Sequence, residues 1–406
     1  MNFWRNIPRP IIGLSPMDGV TDPSFRFITA KHGRPDVILT EFVNIQSAIY
    51  APELMLKDLT YAEIERPVVA QIYGKTPELF YKVAHIVGEL GFDGLDINMG
   101  CPARKVAAAG CGAALIREPE LARAIILATR QGLQDWYNGQ SLKSVGIRPY
   151  PIEAFKAANR SRAGIATIVD RRLLPISIKT RIGYDRIVVK DWISTLLEER
   201  PAAITLHGRT LQQGYKGDAD WEAIAQAAEI AKDSGTLLLG NGDLPDMAEV
   251  HRRVRESQVD GVLIGQAAEG NPWLFSGKEQ VKRALGGIGT VTPQPDVSLA
   301  ERFNVMLEHS RHYENVAQNR CFLGMRKNLL WYCRNVPGAA ELQWQMKRVS
   351  SADDVEGVLD DYIRARTDTP KTVQRDGPDL PATGLSIDSR TQISHEIGLL
   401  SNKQMN

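Results

Sequence analysis

Seven short polar motifs carry the residues of this chain whose types and spacing could do chemistry. They are Ser15-Pro16-Met17-Asp18-Gly19, Gln71, Asn98-Met99-Gly100-Cys101-Pro102, Lys179-Thr180-Arg181, His207-Gly208-Arg209-Thr210, Gly240-Asn241-Gly242-Asp243 and Gly265-Gln266. Cys101 is wedged between Gly100 and Pro102, where the backbone turns sharply and the sulfur can point into a pocket. GNGD and GQAAEGNPW are built of small residues, which let backbone N–H groups approach an anion; they point to a phosphorylated ligand. Each residue also has a plainer reading. Lys179 could be a solvated lysine, His207 a structural histidine bonded to backbone, and Cys101 a buried small hydrophobe. Cys111, in GCGAALI, shares the glycine setting but lies further along the chain.

The elements that must position these motifs are eight short apolar runs: Ile11–Ser15, Val37–Thr40, Pro67–Ile72, Gly94–Asn98, Pro175–Thr180, Ala202–Leu206, Thr236–Gly240 and Gly261–Gly265. Helical spacing separates several of them. Pro77–Leu90 opens on Thr76 as N-cap with Pro77 at the first helical position; Trp221–Lys232 and Asp246–Arg255 have the same periodic character. Nearly continuous apolar strands alternating with helices predict a parallel sheet covered on its outer faces. Eight units over about 270 residues suit a (β/α)8 TIM barrel, whose ligands bind at the C-terminal ends of the strands. The motifs fall at those ends, on strands 1 and 3 to 8. The competing fold is an open doubly wound sheet, but the first strand lacks the G-x-G-x-x-G turn of a dinucleotide-binding sheet.

Composition narrows the class. Of 406 residues, 43% are hydrophobic and 24% charged, as in a soluble globular protein, and the net charge is +1. Four cysteines without C-x-x-C spacing argue against a zinc or iron–sulfur site and against a disulfide-stapled fold, and no metal is expected. The N-terminus has no apolar run long enough for a signal peptide or a membrane span, which predicts a cytoplasmic protein.

Three segments stand apart. Between strands 4 and 5 the chain is about twice the length of an ordinary crossover, on the order of 30 residues. The excess, 131–172, holds seven bases and three acids and carries Trp136, Tyr137 and Phe155. Lys278–Pro295 reads as a linker between a barrel over 1–280 and a small helical domain over 296–365. The helices of that domain are expected at Val297–Tyr313, Gln318–Cys333 and Ser351–Ile363. From Arg366 to the end, Pro, Gly, Ser, Thr and Asp predict a disordered tail over 366–406.

In order along the chain, SPMDGVTDPSFR, DINMGCPARKV, HGRTLQQGYKGDADW, GNGDL and IGQAAEGNPW resemble the tRNA-dihydrouridine synthase family, most closely its DusB-like bacterial group. The resemblance covers Ile11–Trp273, and Leu323–Ala340 resembles the family's C-terminal helical domain. It implies an enzyme that uses flavin mononucleotide (FMN) and NADPH to reduce the C5=C6 bond of uridine in tRNA. Hydride would pass from flavin N5 to C6, and a proton from Cys101 to C5. Pro16, Met17, Asp18 and Gln71 would hold the isoalloxazine ring, with Lys179 and His207 at its polar edge. Asn241, Gly242, Asp243, Gly265 and Gln266 would cradle ribityl and phosphate. Gln266 stands where the family usually has arginine, and the insertion 131–172 exceeds the usual length. Arg302, Arg311, Arg320, Arg326, Lys327, Arg334, Lys347 and Arg348 would meet the RNA, with Trp331 and Tyr332 available for packing or stacking. The insertion is a second candidate RNA contact, or else a packing or oligomerisation element; the protein itself is expected to act as a monomer. Two other functions compete. One is an FMN-dependent barrel dehydrogenase acting on a free pyrimidine; the other is a tRNA-binding protein without catalysis.

Overall fold

The computed structural model describes residues 2–317 and 321–367. All eight expected strands are present: β1 (Ile11–Leu14), β2 (Ile38–Asn44), β3 (Val68–Tyr73), β4 (Gly94–Met99), β5 (Ile176–Arg181), β6 (Ala203–His207), β7 (Leu237–Asn241) and β8 (Gly261–Ile264). Every neighbouring pair is parallel, and β8 pairs with β1, so the sheet closes into a barrel in chain order. Closure rules out the open doubly wound sheet.

Side chains alternate across each strand with a period of two. Ile12, Leu14, Val68, Ala70, Ile72, Leu95, Ile97, Ile178 and Ile204 face outward into the layer of helices. Ile11, Leu39, Val69, Leu237, Leu239 and Leu263 face inward and, with Trp4 beneath them, fill the N-terminal half of the barrel. Each such buried side chain stabilises the fold by about 1.5–3 kcal/mol. One step up the same inward rows the side chains become polar: Gln71, Asp96, Asn98, Ser177, Lys179, Thr205, His207 and Asn241. The barrel is therefore an apolar plug below and a polar pocket floor above.

The covering helices form where their caps and periodicity place them. Pro77–Glu89 starts at Pro77 as expected, but the Thr76 side chain makes no capping bond. Asp220 caps Trp221–Ala231 by accepting from Ala223 N at 2.8 Å, and Asp246 caps Met247–Ser257 by accepting from Glu249 N at 2.8 Å.

The insertion is largely helical. Its first residues complete the helix Pro119–Tyr137, and a second helix spans Pro149–Ala163. A helix that follows β4 runs antiparallel to it, so the insertion leaves at the N-terminal face of the barrel rather than at the rim. Its contacts agree. Arg162 pairs with Glu63 and donates to Leu90 O at 3.1 Å, and Ile168 lies beside Gly91; these partners precede β3 and β4. Phe155 and Trp136 are buried, and Arg171 lies over the Trp136 ring.

The stretch expected as a linker begins with a helix, Lys278–Leu285. Its Val281 is buried, and Lys278 and Lys282 clamp Asp36 at 3.0 and 2.9 Å, which overrides the glycine and proline signals that follow. Four helices come next: Leu299–Ala317, Leu323–Tyr332, Ala339–Met346 and Ala352–Thr367. The third was not anticipated. Residues 318–320, assigned in advance to the second, lie outside the described residues. This helical part docks on the barrel through the first of the four: Ser24 Oγ lies 3.0 Å from His312 Nδ1, His312 stacks on Phe27, and Glu308 meets Lys31 and His32. The described residues up to Asp361 belong to one compact unit, and a second begins at Tyr362. Of the expected tail, Arg366 and Thr367 continue the last helix, and 368–406 lie outside the described residues. Among the described residues no helix is long and apolar enough to cross a membrane.

Candidate active site

The first rim segment is a turn locked by its own residues. Thr21 Oγ1 accepts from Met17 N at 3.0 Å, Thr21 N donates to Met17 O at 3.0 Å, and Gly19 takes a left-handed conformation. Asp22 then caps the helix Pro23–His32 by accepting from Phe25 N at 2.9 Å. The buried Arg26 donates to Thr21 O at 2.8 Å and pairs with Glu65 at 2.8 Å, fixing the turn from behind. Pro16, Met17 and Asp18 are thus held over the pocket, and an added Cβ at Gly265 would stand 3.0 Å from Met17 Sδ. Burial and then Asp58 push the Asp18 carboxyl up.

Across the floor runs a continuous hydrogen-bonded chain. Ser177 Oγ donates to Asp96 Oδ1 at 2.6 Å, and Gln71 Nε2 donates to Asp96 Oδ2 at 2.7 Å. Asn98 Nδ2 donates to Gln71 Oε1 at 3.0 Å, while Asn98 Oδ1 accepts from Gly100 N at 3.0 Å and Cys101 N at 2.9 Å. Arg181 Nε donates to Gly100 O at 2.7 Å, so the loop carrying Cys101 is held from both sides. Cys101 is 7% exposed. Burial pushes its thiol up, against the pull of the Ala103 N–H, Arg181 and Lys179. It therefore keeps its proton at neutral pH. Cys111 instead turns its thiol to Ala109 O of its own loop.

Lys179 Nζ donates to Asn241 Oδ1 at 2.9 Å, and Asn241 Nδ2 donates to Leu263 O at 2.7 Å, which aims the Asn241 carbonyl at the lysine. Burial, then Arg181, pushes the Lys179 ammonium down to about 8. His207 is 9% exposed, and burial among Lys179, Arg181 and Arg209 holds it well below the usual histidine range, so it is neutral. Its Nδ1 is buried and has no partner within the protein. Next to it, Gly242 has φ +120°, and an added Cβ would come within 2.8 Å of Ala219 Cβ. The Asp243 carboxylate is already committed: it accepts from Arg209 Nη2 at 2.7 and 2.8 Å and from Ala219 N at 2.7 Å. Any part it has in a phosphate cradle falls to its backbone. Gln266 is exposed at the start of a short 3-10 turn, Gln266–Ala268.

All twelve residues singled out in the sequence thus lie around one end of the barrel. Asp96 and Ser177, which stood in no motif, join them, as do Asn98, Arg181 and Arg209, which stood in the motifs without an assigned role. Three carried a readable signal. Asp96 with Asn98, and Ser177 beside Lys179, are polar residues two apart inside otherwise apolar strands, where only the inward face can accept them. Arg209 ties the loops after β6 and β7, and its Nη1 lies 3.8 Å from where a Gly242 Cβ would stand. β2, which had no expected site residue, carries buried Glu41 at its middle; burial, Asp22 and Asp58 push its carboxyl up to about 7.

The residues present fit the flavin that the resemblance implies. The pocket floor offers fixed amides, one cationic lysine and an unpartnered buried imidazole nitrogen. The ends of β7 and β8 offer close backbone approach for an anion. In the helical part, Trp331 and Tyr332 are buried and serve packing. The exposed aromatic is Trp344, 52% exposed, with the Arg348 guanidinium 3.4 Å from its ring centroid and Lys347 alongside. Arg311 and Arg334 are engaged with Glu356 and Glu269, Arg326 donates to backbone carbonyls, and Arg320 lies outside the described residues.

The sequence profile of the Dihydrouridine synthase (Dus) family matches this chain over residues 13–169 and 156–367; the break falls inside the insertion. A protein of Bacillus subtilis (strain 168), named probable tRNA-dihydrouridine synthase 2, is 33% identical over 374 residues, covering 90% of this chain and 98% of that one. Probable tRNA-dihydrouridine synthases of Staphylococcus aureus (strain COL) and Staphylococcus epidermidis (strain ATCC 35984) are 32% and 31% identical, covering 89% and 92% of this chain and 95% and 99% of theirs. With a closed barrel, a protonated cysteine at the end of β4 and a profile match along nearly its whole described length, this chain belongs to the dihydrouridine synthase family.

Proposed function

We propose that this chain reduces uridine in tRNA to dihydrouridine with FMN as cofactor and NADPH as reductant, and that Cys101 is its proton donor. The family consists of flavin-dependent oxidoreductases acting on tRNA uridine, and that activity is the function of this chain. When bound, the flavin supplies the hydride to uracil C6. The protein's own residues do the rest. Pro16–Asp18 would hold the ring; Gln71, fully buried and bonded to Asp96 and Asn98, would support the floor beneath it rather than touch it. Lys179 and neutral His207 would face the ring's polar edge. Backbone groups of Asn241–Asp243, Gly265 and Gln266 would take the ribityl phosphate, with Arg209 behind Gly242. Negative charge developing on uracil C5 and O4 is quenched by the Cys101 proton at C5. The carrying observation is that Cys101 is a protonated thiol locked in place beside Lys179 and Arg181.

A base inside folded RNA must leave its stack to reach this pocket, at a cost of a few kcal/mol. Contacts outside the barrel offset that cost. Lys347 and Arg348 beside exposed Trp344 are suited to this, since bases stack on aromatic rings and phosphates pair with cations. The test uses purified protein supplied with FMN, NADPH and unmodified tRNA, with dihydrouridine detected by mass spectrometry. Dihydrouridine in the tRNA is the expected result. Reduction of free uracil or orotate with none in tRNA would establish the small-pyrimidine reading instead, and FMN binding without any reduction would establish loss of catalysis.

We read the insertion as a packing element, since Arg162 and Ile168 meet residues that precede β3 and β4. Replacing Arg160 and Arg172, both exposed there, by alanine leaves tRNA affinity and its salt dependence unchanged. A salt slope shallower by about 0.9 per lost phosphate contact would return the insertion to the RNA interface.

A further inference from the structure

We infer that Asp96 is a positioning residue, the terminal acceptor that fixes the polarity of the Gln71–Asn98 chain and through it the loop holding Cys101. This rests on the reading of Cys101 as proton donor.

Amide side chains have two nearly isosteric ends, so packing alone does not decide which way they face. Here the far end of the chain cannot reverse. Gly100 N and Cys101 N are backbone donors, and both point at Asn98 Oδ1. Asn98 must then turn its Nδ2 to an acceptor, which is Gln71 Oε1. Gln71 must in turn direct Nε2 to an acceptor, and Asp96 Oδ2 supplies it at 2.7 Å. Gln71 and Asp96 are fully buried, so no solvent can substitute. Asp96 faces β5 as well, where Ser177 Oγ donates to its other oxygen. Neither oxygen of Asp96 is left to touch a ligand. Its influence on the site passes through Gln71 and Asn98, and an unpartnered Gln71 donor would turn away, releasing Asn98 from the Cys101 loop.

What the chain requires at position 96 is an acceptor rather than a charge. Asparagine satisfies it: Oδ1 accepts from Gln71, while Nδ2 donates to Ser177 Oγ, which can accept. Leucine, of similar shape, cannot. The experiment follows alkylation of Cys101 by iodoacetamide at peptide resolution in the FMN-loaded protein, with Cys111 and Cys333 as internal references. In Asp96→Leu, Cys101 is expected to react about 10-fold faster than in the native protein, the scale of an unsatisfied buried donor. In Asp96→Asn it is expected within about two-fold of native, and the two references are unchanged in both. Dihydrouridine formation should lose kcat with little change in KM for tRNA in the leucine variant and recover in the asparagine variant. If Asp96→Leu fails to fold, Gln71→Met breaks the next link and should speed Cys101 alkylation equally. Equal behaviour of the leucine and asparagine variants would overturn the inference. So would acceleration of Cys111 and Cys333 together with Cys101, or native alkylation in Gln71→Met. Alkylation is read without turnover, so absence of dihydrouridine in the native protein would refute the activity without touching this result.

Discussion

Cys101→Ala is expected to retain FMN and NADPH oxidation while losing about 10²–10⁴-fold in the rate of dihydrouridine formation, the usual contribution of a positioned proton donor. The thiol is 7% exposed and its pKa is pushed up by burial, so it carries its proton well above neutrality. Its backbone N–H is held by Asn98 and the preceding carbonyl by Arg181, so alanine should leave the loop where it is. Cys111→Ala, made in parallel, should be nearly silent, because that thiol bonds within its own loop. Single-turnover assays separate the two half-reactions. A Cys101→Ala protein that forms dihydrouridine at the native rate would show that the proton comes from elsewhere.

The second large effect is expected at Lys179. Its ammonium is the cation held against the pocket floor, aimed by Asn241. Removing one preorganised charge of this kind lowers the rate by about 10²–10³-fold. Lys179→Met should also lower the midpoint potential of the bound flavin, since negative charge accumulating on reduction loses its partner. The pH dependence has a definite sign. Burial and Arg181 bring the lysine down to about 8. An anion beside it can only raise that value, so the native rate should fall as pH rises through about 8 or above. Burial pushes the Cys101 thiol up from its ordinary range, so it too keeps its proton at neutral pH. The methionine variant should be slow and flat across the same range. A native-like alkaline limb in Lys179→Met, together with an unchanged potential, would remove Lys179 from the site.

The site motifs were legible because they stand where strands end, and that location needs only local pattern. Gly242 and Gly265 were legible because small residues at the ends of β7 and β8 permit close backbone approach. The polar floor was not, although its residues were in view. Asp96 and Ser177 sit inside apolar runs, and their meaning depends on which neighbours their strands bring alongside. Asp243 was legible as a pocket residue, but its commitment to Arg209 and Ala219 N depends on a loop from another strand. Thr76 stands at a capping position, yet its hydroxyl makes no such bond.

By itself the sequence determined the eight-stranded barrel, the order of the motifs around its rim, the family and the cysteine we propose as proton donor. Those depend on local periodicity, on residue type and on motif order, which a linear chain displays. Only the tertiary structure decided where the insertion goes, because its direction is set by a helix running back along β4 to the opposite face. It also decided that Trp344, rather than Trp331, is exposed, and that a buried acceptor at Asp96 lies two amides away from Cys101. Each of these depends on strands or helices distant in sequence lying side by side. Burial and hydrogen-bond polarity are properties of that neighbourhood and not of any one segment.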